Sequence, residues 1–95
     1  MAIYISLLKF TTKGLENIKE SPSRLAAATK VFEKHGGSLK GAWYTMGQYD
    51  IVVVTEFPSD EVATKAMLAT ISHGNVQGET LRGFAAEEFR KLLEP

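Results

Sequence analysis

The chain has 95 residues, 44% of them apolar, and a formal net charge of zero from 11 basic and 11 acidic side chains. That length supports one domain with a modest core, and the balanced charge removes the electrostatic footprint that nucleic acid or an anionic membrane surface would require of a partner. With no cysteine there is no disulfide, thiolate metal site or thiol nucleophile, and the apolar start MAIYISLLKF has no basic region ahead of it; both features fit a cytoplasmic protein.

Residues 2–10, AIYISLLKF, are rich in β-branched and aromatic side chains and read as a first strand. The connection TTKGLENIKE over residues 11–20 is long, and Leu15 and Ile18, three apart, suggest a helical turn or loop tucked down by two apolar side chains. In SPSR, Ser21 is expected to cap a helix with Pro22 at its first position. Leu25, Ala28, Thr29 and Phe32 then keep a helical period up to the glycine stop at His35-Gly36-Gly37. Residues 38–46 and 50–57 read as the second and third strands. Ser59 caps a second helix with Asp60 and Glu61 in its first turn, where the helix dipole favours negative charge. Val62, Ala66, Met67 and Thr70 or Ile71 form its apolar stripe, which ends at His73-Gly74. A weaker fourth strand follows over 77–85, and the tail, 86–95, reads as a short helix with Phe89, Leu92 and Leu93 on one side.

This order gives a single α+β domain over 1–95, a ferredoxin-like βαββαβ sandwich on a four-stranded antiparallel sheet of order 4-1-3-2. Helices cover one face of such a sheet, yet the first and third strands are apolar on both faces: Ile3, Ile5 and Leu7 oppose Tyr4, Leu8 and Phe10, and Ile51 to Val54 has no polar member. The second face therefore needs cover. A twofold copy laid sheet to sheet supplies it, so the sequence predicts a homodimer with a cavity between the facing sheets.

The stretch Gly47-Gln48-Tyr49-Asp50 matches the Gly-x-Tyr-Asp signature of the GYD family, and the resemblance runs through "YISL", "SPSR", "GGSLKGAWYTMGQYD", "GNV" and "TLRGF", nearly the whole chain. It implies a small bacterial or archaeal domain of the dimeric α/β-barrel class. That class also includes cofactor-free monooxygenases, stress-responsive barrel proteins and amino-acid-sensing regulatory domains.

If Gly47-Gln48 is a two-residue type II′ loop, Tyr44, Met46, Tyr49, Ile51 and Val53 share one strand face, and Trp43, Thr45, Asp50, Val52, Val54 and Glu56 the other. The first set is assigned to the helices and the second to the cavity. Asp50, Glu56 and Trp43 would then line a ligand pocket, with Tyr4 as a second wall and Arg82 on the same face if Leu81 packs on the helices. Topology also gathers Lys9, Lys13, Tyr49, Asp50, His73 and Asn75 at one end of the sheet, so Tyr49 joins the candidate ligand contacts. Asp50 has two readings: a buried carboxylate for proton transfer, or a turn residue accepting hairpin N–H groups, with Glu56 and Arg82 as a structural ion pair. His35 and His73 each stand before glycine at a helix C-terminus, which favours capping over metal ligation, and no metal-ligand spacing accompanies them. Three functions follow from these residues. The first is a small-molecule-binding or assembly module. The second is a cofactor-independent enzyme, monooxygenase- or isomerase-like, with Asp50 or His73 as general base. The third is a structural oligomer whose barrel is filled by Phe10, Trp43 and Phe84.

Overall fold

The computed structural model describes residues 1–95. Its elements are β1 (Ala2–Phe10), α1 (Thr12–Glu16), α2 (Ser21–Lys34), β2 (Ser38–Tyr44), β3 (Ile51–Phe57), α3 (Asp60–Ile71), β4 (Val76–Gly83) and α4 (Ala86–Leu92), with a 3-10 turn at Ile18–Glu20 leading into α2. The strands form one antiparallel sheet of order β2-β3-β1-β4, which places the two most apolar strands at its centre. This is the ferredoxin-like arrangement expected from the sequence. No helix is long and apolar enough to cross a membrane.

The faces of the sheet follow the strand period. In β3, Ile51, Val53, Thr55 and Phe57 are buried beneath the helices and the residues between them are partly open. Tyr4 and Ser6 of β1 lie on the same side, and with Phe32, Ala63 and Ala66 from α2 and α3 they close the core. Phe57 is its keystone: fully enclosed, with its ring set edge-on to Tyr4 at 6.1 Å and to Phe32 at 5.8 Å between centroids. The opposite face carries Ile3, Ile5 and Leu7 beside Val52 and Val54, flanked by Leu81 on β4 and Trp43 on β2. No helix covers it. A register shift between Leu39 and Gly41 keeps Trp43 on this open face, where its indole lies over Gly41 in the space a side chain would take.

Three local expectations are corrected. Ser21 does not cap α2: the 3-10 turn runs straight into the helix, and the Ser21 hydroxyl instead sits 3.0 Å from the Tyr44 hydroxyl. Leu15 and Ile18 are not tucked down but exposed. The 11–20 strap is held by polar backbone contacts: the Thr11 hydroxyl caps α1 at Gly14 N–H and donates to the Gly74 carbonyl, the Thr11 N–H donates to the Asn75 carbonyl at 3.1 Å, and Lys13 donates to the His73 carbonyl at 2.7 Å. Gly14 is buried against Asn75, where any side chain would collide with that carbonyl. The β2–β3 connection is wider than a two-residue turn. Its last ladder pair is Tyr44 with Ile51, and Thr45 N–H then donates to the Asp50 carbonyl. Gly47 does take the positive φ expected of it, +103°, but Met46 beside it projects into solvent instead of packing on the helices.

Candidate functional site

The residues of α2 and α3 that border the gap between the two helices are small, and this decides where the chain has a cavity. Ala27, Ala28 and Ala69 line the gap between the helices, and Ser6, Gly78 and Thr80 form part of the sheet beneath them. The missing side-chain volume leaves a crevice of about 300 Å³, walled by Leu8, Leu25, Phe32, Ile51, Met67 and Val76. That size is at the low end of small-molecule sites. The two floor hydroxyls satisfy each other, Ser6 Oγ to Thr80 Oγ1 at 2.9 Å, with the Met67 sulfur 3.6 Å from Ser6 Oγ. The walls are therefore apolar and the floor has no unmet demand for a polar partner.

Arg24, His73 and Asn75 also border the crevice, at the end crossed by the 11–20 strap. This is the end of the sheet at which the sequence placed His73, Asn75 and Lys13. Arg24, from the first half of α2, donates to the carbonyls of Asn17 at 2.8 Å and Gly14 at 3.4 Å, which fixes the guanidinium against the strap.

The residues expected to share a site fall in three places. Trp43 and Glu56 lie on the open sheet face as expected, but Glu56 pairs with Lys40 at 3.0 Å and not with Arg82. Tyr49 belongs with this face and not with the helices: its hydroxyl donates to Glu79 at 3.1 Å and its ring lies 5.7 Å from the Lys9 ammonium. The Glu79 hydrogen bond, with burial adding to it, holds the Tyr49 phenol above its usual range.

Tyr4 and Arg82 are on the other side of the sheet. They face each other across β1 and β4, because Leu81 pairs with Ile5 on the open face and so reverses the assumed parity. Tyr4 is buried and donates to the Asp60 carboxylate at the start of α3, so it cannot wall a cavity between sheets. The Arg82 guanidinium lies 6.0 Å from the Tyr4 ring and 4.2 Å from Phe84. Phe10 likewise packs on the helix-side core.

Burial raises the Tyr4 phenol above its ordinary value, the hydrogen bond to Asp60 adds to that, and Arg82 opposes it. A raised folded-state value means that this contribution is fully present below the ordinary tyrosine range near 10 and is lost as the pH climbs through the folded value. Tyr4→Phe should therefore cost about 1–2 kcal/mol at pH 8 and flatten the loss of stability above pH 10, measured by urea unfolding across that range. An unchanged alkaline slope would contradict this role for Tyr4.

Asp50 acts as a piece of backbone. Its N–H donates to the Leu8 carbonyl at 2.8 Å, and its carboxylate accepts the Phe10 N–H at 2.9 Å, so the side chain extends the β1–β3 ladder one step beyond the Leu8–Ile51 pair. The donor comes from β1 and not from the hairpin. An asparagine can accept the same N–H, so Asp50→Asn should stay within about 0.5 kcal/mol of the parent while Asp50→Ala loses about 1–3 kcal/mol in thermal or urea unfolding. Equal losses in the two variants would show that the charge, and not the acceptor, matters.

His35 caps α2 as expected: its N–H groups meet the Val31 carbonyl from both the backbone and the ring, the Nδ1 contact at 2.9 Å. No three His, Asp or Glu side chains converge as metal ligands. The crevice residues that the sequence does not single out are Ser6 and Arg24, while Met67 is expected only as part of an apolar stripe and Thr80 only as a neighbour of Arg82. A serine on the helix-facing side of β1, among Tyr4, Leu8 and Phe10, and the run LAAAT in α2 are the visible signals of an unfilled interior. The GYD domain family matches the chain over residues 4–93. No curated protein matches it significantly.

Proposed function

We propose, since the chain belongs to the GYD domain family, that it is a homodimeric small-molecule-binding module with one ligand in the crevice between α2, α3 and the sheet of each subunit. The carrying observation is the crevice itself, a largely apolar volume of about 300 Å³ inside a single chain. Pairing of subunits rests on the open sheet face. The chain exposes 6244 Å², more than the about 5,400 Å² expected of a self-sufficient 10.4 kDa domain, and only 11 of its 95 residues are buried. Sheet-to-sheet contact would remove Ile3, Ile5, Leu7, Val52, Val54 and the half-exposed Trp43 from water in one isologous interface. The ligand would then lie outside the subunit interface, on the far side of each sheet.

Indole is a suitable probe, being small, mostly apolar and neutral. Its binding should shift backbone amide resonances of α2, α3 and residues 73–78, and Ala28→Phe, which places a ring in the crevice, should abolish those shifts while leaving the fold intact. Shifts confined to Trp43, Val52 and Leu81 would move the site to the open face and overturn the reading.

His73 at the crevice border favours a second reading, a cofactor-independent enzyme with His73 as general base. The Asp50 carboxylate is already committed to the Phe10 N–H. In the enzyme reading His73→Gln would abolish turnover and spare ligand affinity.

A further inference from the structure

The charge around the crevice is one-sided. Its lining includes Arg24 and His73 but no aspartate or glutamate. The ion pairs of the structure are Lys40–Glu56, Arg90–Glu87 and Arg90–Glu94, so the Arg24 guanidinium has no carboxylate partner. It is held by two neutral carbonyls of the strap, Asn17 and Gly14, which orient it without neutralising it and leave several of its five N–H donors free. Lys13 is tied to the His73 carbonyl, bringing a second full positive charge to the same rim. A partly buried guanidinium bordering an apolar volume is costly unless an anion completes it.

The crevice also has a direction. Its α2 wall runs from Arg24 through Ala27 and Ala28 to Val31 and Phe32, about 10 Å of helix from a cationic end to an apolar one. Nothing polar in the inner half calls for a partner, because Ser6 and Thr80 are bonded to each other. The volume equals that of about ten water molecules in the liquid.

We infer that the ligand of this crevice is an amphiphilic monocarboxylate of roughly ten non-hydrogen atoms, its carboxylate held by Arg24 at the strap end and its apolar body lying along α2 towards Val31 and Phe32. The inference rests on the proposed binding role of the crevice and specifies its ligand class. A carboxylate matches the planar guanidinium fork, and a charge-assisted pair in a partly water-excluded setting gives a clear preference over an uncharged head of the same length.

The test compares three eight-carbon probes, octanoate, 1-octanol and octylamine, by calorimetry on the unsubstituted 95-residue chain. Octanoate should bind about tenfold or more tightly than 1-octanol, with octylamine weakest. Arg24→Gln should erase most of the preference for octanoate over 1-octanol, and Arg24→Lys should keep part of it. Should Arg24→Gln loosen the strap, the wild-type ranking still decides. If 1-octanol binds as tightly as octanoate, or octylamine binds best, with the amide shifts still on α2 and α3, the carboxylate inference falls and the binding role stands. If none of the three binds, both fall.

Discussion

If the open sheet face pairs subunits as proposed, Val54→Lys is expected to yield a folded monomer at concentrations where the parent chain would be a dimer. Val54 pairs with Ile5 at the centre of the open sheet face, with Gly41 on its other side. Its side chain points away from the core formed by Phe32, Val53, Phe57 and the inner residues of α3, so the subunit itself loses little. Twofold symmetry introduces each lysine twice, setting two ammonium groups into a largely apolar contact whose nearest carboxylate, Glu56 two residues along β3, is already paired with Lys40 at 3.0 Å. Desolvating each costs several kcal/mol, enough to weaken association by a factor of roughly a thousand or more. Sedimentation equilibrium measures this directly, with circular dichroism as the check on folding. A variant that associates as tightly as the parent would remove the open face as the interface.

Phe57→Ala is expected to have the largest effect on stability of any single truncation, a loss of about 3–5 kcal/mol. The ring is fully enclosed and joins β3 to both Tyr4 of β1 and Phe32 of α2. Few residues share the load: the buried apolar core is Tyr4, Phe32, Ile51, Val53, Phe57, Ala63 and Ala66, two of them alanines. A domain this small has a total stability of the order of 5–10 kcal/mol, so the variant forfeits roughly a third of it or more. Urea unfolding at fixed protein concentration is the measurement, since a dimer's midpoint moves with concentration. A loss below about 1 kcal/mol would mean that Phe57 does not hold the layers together.

The architecture was legible because it depends on patterns that survive small errors. Helix stops at glycine, the Ser59 cap with Asp60 and Glu61 behind it, and two strands apolar on both faces determine element order and sheet order without any exact register. The Ser59 hydroxyl does accept the Val62 N–H. The candidate site was less legible because it depends on parity, and parity turns on single residues. Arg82 was placed beside Glu56 on the assumption that Leu81 packs on the helices; the pairing of Tyr4 with Arg82 puts both on the helix side instead. Tyr49 escaped its expected face because the loop from Met46 to Tyr49 opens beyond the two-residue turn, freeing the ring to reach Glu79.

The crevice was missed for a different reason. Hydrophobic periodicity says which face of a helix turns inward, not whether its side chains fill the space they meet. Ala28 fits the buried stripe of α2 as well as leucine would, yet its size helps to create the cavity. The uncovered sheet face points instead to a space between subunits. The volume that one chain encloses lies on the opposite side of that sheet.

Native mass spectrometry with octanoate titration tests that placement most directly, because symmetry ties stoichiometry to location. A site in each crevice saturates at two ligands per dimer of 10.4 kDa chains, and that is the expected result. Saturation at one ligand per dimer would place the ligand on the twofold axis between the sheets, and a monomeric protein would remove the shared interface; either outcome contradicts a homodimer that carries its ligands on the helix side of each sheet.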